Sequence, residues 1–331
     1  MKKYYALSTL LIVFFVSCSK DNLKEEEFTP QAIVAENIDD LRGCVSHEVY
    51  EQQLAADPQF ALRRAEIESF LEEYVKMVQP RSGSVVTIPV HFNVLYKTNA
   101  QNISTAQLQS QIDVLNADFG AANGDYGNTP SIFQGVLSGD IGVAFSWDPA
   151  SGTTRKKTNK TSWQANDSMK KSNQGGINPT DPDTKLNIWV CNLSGGILGY
   201  AQFPGGPLAT DGVVLDDNAT GNTGTAQAPY GLGRTATHEI GHWLNLRHIW
   251  GDATCGNDLV SDTPVHNTSN GGCPAYPHYS TCSGNPVEMT MNYMDYTYDA
   301  CMYMFTQGQE SRMLATFSPG GGRNSFCPTC P

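Results

Sequence analysis

The string His238-Glu239-Ile240-Gly241-His242-Trp243-Leu244-Asn245-Leu246-Arg247-His248 constrains this chain more than any other feature. Two histidines four apart on a helix stand on one face, about one turn apart, so both imidazoles reach a single ion. Glu239 is rotated about 100° from His238 on the same helix, which takes it out of the ligand set but leaves it within reach of a water at the ion. His248 lies six residues beyond His242, too far for the next turn of that face. It joins the same ion only if the helix stops and the chain turns back. Asn245 sits where that turn falls, and asparagine is second only to glycine in tolerating the left-handed conformation that ends a helix. At this chain's His and Glu frequencies an H-E-x-x-H string arises by chance in roughly 0.006 of such chains, and the third histidine lowers that to about 10⁻⁴. A structural metal site is normally closed by four protein ligands. Three ligands beside a free carboxylate therefore point to a catalytic Zn²⁺.

The rest of the composition narrows the setting. The chain has 331 residues with 33 acidic against 21 basic side chains, a net charge of −12. That balance argues against nucleic acid as a partner, because phosphate binding needs a basic footprint. Nine cysteines suggest an oxidising compartment. Lys2 and Lys3 precede an eleven-residue stretch from Ala6 to Val16, well short of the roughly 20 apolar residues that span a bilayer. A signal peptide over residues 1–18 follows. Phe15-Val16-Ser17-Cys18 resembles a loose bacterial lipobox, which would make Cys18 the lipidated first residue of the mature chain; the alternative is an ordinary signal peptide that contains a cysteine. The expectation is an exported protein, either a lipoprotein of the outer membrane or cell surface or a secreted one. It would be monomeric and touch the membrane only through its N-terminal lipid.

Residues 19–81 are acidic and helical in pattern, with Ile67, Phe70, Leu71 and Tyr74 on one face. Pro80 to Ser84 break that pattern as a linker. Beyond it the period changes to two: Val86, Ile88, Val90, Phe92, Val94 and Tyr96 alternate as a strand. Ser104 is a plausible N-cap for a helix with Leu108, Ile112, Leu115 and Phe119 on one stripe. Residues 143–147, 186–190 and 212–215 read as short strands, so the order is that of a mixed α/β or α+β sheet. Residues 153–172 carry Arg155, Lys156, Lys157, Lys160, Lys170 and Lys171 and read as a polar surface loop.

The zinc string resembles that of the metzincin zinc peptidases, with Asn245 where the family has glycine. That family needs a methionine turn below the metal, and Asn292-Tyr293-Met294-Asp295-Tyr296 supplies one 46 residues after His248. Met294 would be a floor under the histidines, and Tyr296 would aim its phenol at the metal or the developing oxyanion. Four further stretches in order resemble the pappalysin family and its ulilysin-like and cytophagalysin-like members: Gly175-Gly176 leading to residues 186–190, residues 198–204, residues 211–214, and Asp295-Tyr296 through Asp299, Cys301 and Phe305 to Gly308-Gln309. The resemblance covers nearly everything after the signal. It implies an α+β metzincin zincin fold: a twisted mixed sheet with a backing helix and an active-site helix, above a loop-rich, disulfide-linked lower subdomain. A helical propeptide precedes this catalytic domain, which would occupy residues 82–331. The strand near residues 198–201 would form the upper rim of the cleft, along which a substrate lies as an added strand.

Cys44 stands alone in the acidic helical segment. A thiolate is a good soft ligand for zinc, and the resemblance suggests a cysteine switch, although Val45 replaces the glycine that often follows; a Cys44–Cys191 disulfide is the alternative. Four tail cysteines allow three pairings, of which the resemblance favours Cys255–Cys282 and Cys273–Cys301. Cys327 and Cys330 close on themselves or form a redox or metal pair. Asp258, Ser261, Asp262 and Thr263 offer clustered oxygens, and the resemblance suggests Ca²⁺ through Asp258, Thr263 and nearby carbonyls, against an ordinary polar turn. Together these imply a latent zinc endopeptidase for polypeptide substrates, with Glu239 as general base and acid. A catalytically silent binding protein and a hydrolase of non-peptide substrates are the other readings. Relatives that cut beside arginine place the propeptide boundary at Arg81.

Overall fold

The computed structural model describes residues 43–77 and 85–330. Cys18, the signal segment, residues 19–42 and the linker with Arg81 lie outside the described residues.

The first helices are α1 (Ser46–Ala56) and α2 (Pro58–Met77), followed by the long strand β1 (Val86–Tyr96) and helix α3 (Thr105–Phe119). Ser104 caps α3 by accepting from the Gln107 N–H at 3.1 Å. Strands β2 (Val143–Ser146), β3 (Thr153–Lys157), β4 (Leu186–Cys191), β5 (Gly199–Ala201) and β6 (Val213–Asp216) then build one sheet of order β2-β1-β4-β6-β5, with β3 also on β1. All pairings are parallel except β5 with β6. Pro89, which cannot donate to a ladder, sits where β2 leaves β1 and just before β4 joins it.

Alternation along the strands divides the core. Val86, Ile88, Val90, Phe92 and Val94 face a large cluster with Leu108, Ile112, Leu115 and Phe119 of α3 and Ile240 and Trp243 of helix α4 (Arg234–Trp243). Leu95, Trp189, Cys191, Tyr200 and Val214 point the other way, onto Trp163, Met169 and Ile177, and Val45 and Val49 of the N-terminal segment complete that face. A sheet covered on both faces explains why β4 and β6 are buried at every residue.

The basic stretch is a correction. Thr153–Lys157 is not a loop but strand β3, paired with β1 from Phe92 onward. Lys170 is buried, its ammonium 2.9 Å from Asp167 and 2.8 Å from the Thr210 carbonyl, over the Trp189 and Tyr200 rings. Burial of the methylene stem with a carboxylate on the head is what makes a buried lysine tenable; a charge count along the chain cannot see that partner.

After residue 248 regular structure is sparse until helix α5 (Gln307–Ala315), which starts with a capping box of Thr306 and Gln309. Disulfides Cys255–Cys282 and Cys273–Cys301 span 27 and 28 residues, each restricting the unfolded chain by about 3–4 kcal/mol in the loop-entropy picture. Cys327 closes on Cys330, while Cys44 and Cys191 are free, so the alternative Cys44–Cys191 bond is not formed. Among the described residues no helix is long and apolar enough to cross a membrane.

Candidate active site and metal centre

Helix α4 is buried along its whole length and carries His238, Glu239 and His242. Gly241 faces the methionine turn: a Cβ there would lie 2.5 Å from Met294 Sδ. Met294 therefore packs directly beneath the helix turn that holds both histidines. The helix ends in a Schellman arrangement, with Leu246 N–H donating to Gly241 O at 2.8 Å and Asn245 N–H to His242 O at 2.9 Å. Asn245 takes φ +73°, and the chain turns back to bring His248 beside the other two rings.

The three Nε2 atoms converge. His242 Nε2 lies 3.2 Å from that of His238 and 3.1 Å from that of His248. Each Nδ1 faces outward to an acceptor: the Tyr293 carbonyl at 2.7 Å for His238, the Leu246 carbonyl at 2.8 Å for His242, and the Asp252 carboxylate for His248. An acceptor at Nδ1 puts the ring hydrogen there, so three Nε2 lone pairs point at one another. That is repulsive unless a cation lies between them. Cys44 Sγ completes the set, 3.6 Å from His242 Nε2, and all four donor atoms lie within 4.8 Å of one another. Tetrahedral zinc with bonds of about 2.05 Å to nitrogen and about 2.3 Å to sulfur requires N···N near 3.3 Å and N···S near 3.6 Å. The donor set fits that ion in chemistry, and the three pairs made by His242 Nε2 match its spacing.

The surroundings hold this shell. Burial, and then the neighbouring His248, keep His242 well below the usual imidazole range and hence neutral. Burial, and then the Glu239 carboxylate, push the Cys44 thiol up; a cation beside the sulfur is what would reverse that. Trp250 stacks on His248 with ring centroids 4.3 Å apart, and Tyr296 meets both rings edge-on. Arg234, at the start of α4, pairs with Asp118 of α3 at 3.2 Å and with Asp125 at 3.0 Å. Burial raises Asp118 to about 6 even against that guanidinium.

The N-terminal segment lies over this centre along β5. Leu198 N–H donates to Gly43 O at 2.8 Å, Val45 N–H to Gly199 O at 3.4 Å, and Cys44 bridges Gly199 in the parallel sense. Tyr296 Oη donates to the Cys44 carbonyl at 2.8 Å. Ser46 Oγ donates to Glu239 Oε2 at 2.7 Å and accepts from Ala201 N–H at 2.8 Å. Neither Ser46 nor Asp252 was singled out in the sequence; the signals were a hydroxyl two residues after Cys44 and a carboxylate four residues after His248.

The candidate calcium oxygens are only partly gathered. Thr263 Oγ1 donates to the Asp258 carboxylate at 2.9 Å and Val260 N–H reaches it at 3.1 Å. Burial raises Asp258 to about 6. Ser261 is exposed, and Asp262 turns to the start of α5, accepting from Thr306 Oγ1 at 2.7 Å and Gly308 N–H at 2.8 Å.

Residues 181–318 match the Peptidase_M43 family, described as pregnancy-associated plasma protein-A. An extracellular metalloprotease of Arthroderma benhamiae is 31% identical over 258 residues, covering 74% of this chain and 84% of that protein. One from Verticillium alfalfae is 35% identical, covering 72% and 79%. Among solved structures, mature mirolysin of Tannerella forsythia in complex with a cleaved peptide is 45% identical with a TM-score of 0.70, covering 74% of this chain and 96% of its own. A promirolysin mutant from the same organism is 42% identical with a TM-score of 0.78, covering 86% and 97%. The precursor form thus matches more of this chain than the mature one. With the metzincin fold and a histidine centre capped by the N-terminal segment, this chain belongs to the pappalysin (Peptidase_M43) family and is a zinc metalloendopeptidase made as a zymogen.

Proposed function

We propose that His238, His242 and His248 hold the zinc ion, that Glu239 is the general base and acid, and that Cys44 occupies the fourth position until the prosegment, residues 19–81, is removed. The observation that carries this reading is the convergence of three Nε2 atoms at 3.1–3.2 Å with Cys44 Sγ at 3.6 Å. When bound, zinc supplies Lewis-acid polarisation of the scissile carbonyl and lowers the pKa of water from 15.7 towards about 7.

The protein's own groups do the rest. With Cys44 and Ser46 gone, Glu239 faces the opened position, where it takes a proton from the attacking water and returns it to the leaving amine. Tyr296 already donates to a peptide carbonyl beside the centre, and that phenol serves the oxyanion of the tetrahedral intermediate in the same way. The β5 edge that residues 43–46 occupy offers backbone partners for a polypeptide substrate laid along it. Met294 and the two long-range disulfides keep the shell from spreading.

The finer readings belong to the same proposal. Residues 82–331 form the catalytic domain, with processing at Arg81. The chain is exported behind the signal peptide of residues 1–18 and anchored through a lipid on Cys18, or released, and acts as a monomer. Ca²⁺ sits at Asp258, with Thr263 and Ser261 beside it, and stiffens the loop under α5; the burial of the Asp258 carboxylate against the Thr263 hydroxyl supports this. The deciding experiment is Glu239→Gln. The variant should keep one zinc per chain by metal analysis and lose peptidase activity on a fluorogenic peptide by orders of magnitude. Full activity would falsify the general-base assignment, and loss of zinc would overturn the ligand set.

A further inference from the structure

Asn245 departs from the family's glycine, and its side chain has a partner outside the metal shell. Its Nδ2 donates to Glu68 Oε1 of α2 at 3.0 Å, while its backbone carbonyl accepts from Arg312 Nε of α5 at 3.0 Å. The Arg312 guanidinium also binds the other Glu68 oxygen and is nearly inaccessible to solvent. One prosegment carboxylate is therefore read by two groups of the catalytic domain, one of them on the turn between the second and third histidines. Around it, Ile67 and Leu71 bury against Ala315, with Phe70 and Tyr74 packed alongside. The floor is built for a helix: Gly205, Gly320 and Gly322 all have positive φ, and a Cβ on any of them would lie 2.9–3.0 Å from Ile67 or Phe70.

The geometry points to a docking groove, formed by α5, the Asn245 turn and these three glycines, that holds α2 independently of the metal after the chain is cut beyond Met77. This rests on the reading of residues 19–81 as a removable prosegment. The groove shares no contact with Cys44, so the prosegment is attached at two points, and each holds the other at high local concentration. A single cut behind α2 leaves Cys44 and Ser46 in place; activity appears only when α2 also leaves. The ligand class is an amphipathic helix with apolar residues flanking one central carboxylate.

The test uses a labelled peptide of residues 58–77, which lacks Cys44 and α1. The receptor is zinc-loaded Glu239→Gln protein, cut by a trace of active enzyme and then freed by chromatography of both that enzyme and the whole prosegment, so that the groove is empty and the probe is not digested. Fluorescence anisotropy should show saturable binding, and a Glu68→Gln peptide should bind at least about tenfold more weakly, because it forfeits a charge-assisted contact. Equal binding by both peptides, or no saturation of the parent below about 1 mM, overturns the groove. N-terminal sequencing of the active enzyme separates the two claims. If it still carries residues 58–77, the prosegment reading fails and retention after cleavage fails with it; a correctly processed enzyme that ignores the peptide sinks the groove alone.

Discussion

Replacing Ser46 by alanine should loosen the latent state without touching the metal ligands. The hydroxyl makes two contacts in a fully buried position: it donates to Glu239 Oε2 at 2.7 Å and accepts from Ala201 N–H at 2.8 Å. The first is a hydrogen bond to a carboxylate, worth about 1.5–3 kcal/mol, and the second leaves a buried N–H without its acceptor, at about 1–3 kcal/mol. Both groups regain water when residues 43–46 lift away, so the loss falls on the docked state alone. Contacts that share one oxygen are not additive, and a combined effect of about 2–4 kcal/mol raises the lifted population by roughly 30- to 1,000-fold. The assay is alkylation of the uncleaved precursor, followed peptide by peptide in a mass spectrometer. Cys44 and Cys191 are both buried free thiols, so Cys191 reports on global loosening. Cys44 should label faster by that factor while Cys191 does not change. An unchanged Cys44 rate, or equal acceleration of both thiols, refutes the argument.

Asp252→Asn keeps the shape of the acceptor behind His248 but removes its charge; zinc should be lost to a competing chelator about 10- to 100-fold more readily, and a change under threefold contradicts a role for Asp252 in positioning that ring. Gly241→Ala should normally stabilise a helix by about 1 kcal/mol, yet here the new methyl meets Met294 Sδ; a net loss of about 1–3 kcal/mol in urea unfolding is expected, and a more stable variant counts against the close packing of the methionine turn. The Asp258 carboxyl, raised to about 6 in the folded protein, makes stability fall as pH climbs from about 4 to about 6, because the unfolded chain sheds its proton first. Calcium binding there must displace that proton below about 6, so added Ca²⁺ should raise the melting temperature more at pH 7.5 than at pH 5; equal shifts at both values speak against Asp258 as the ligand.

Local spacing already contained the core of the chemistry. Two histidines at i and i+4, an acid rotated off their face, and an asparagine able to take positive φ before a third histidine form a rule written over eleven consecutive positions. The period-two run of β1, the Ser104 cap and the apolar stripe of α3 were legible for the same reason: hydrogen bonding and burial there repeat over a few residues. What tertiary structure alone decided are the contacts between distant segments. Ser46 reaches Glu239 across 193 residues, and Glu68 reaches Asn245 across 177. Lys170 looked like a solvated charge until the fold supplied Asp167, a carbonyl and two aromatic faces in one buried place. Asp262, read as a possible cation ligand, instead caps α5 from 44 residues away. A side chain's chemistry is carried by the residue, but its partner is chosen by the packing of segments that no local period connects, and that choice decides whether a charge is a ligand, a cap or a latch.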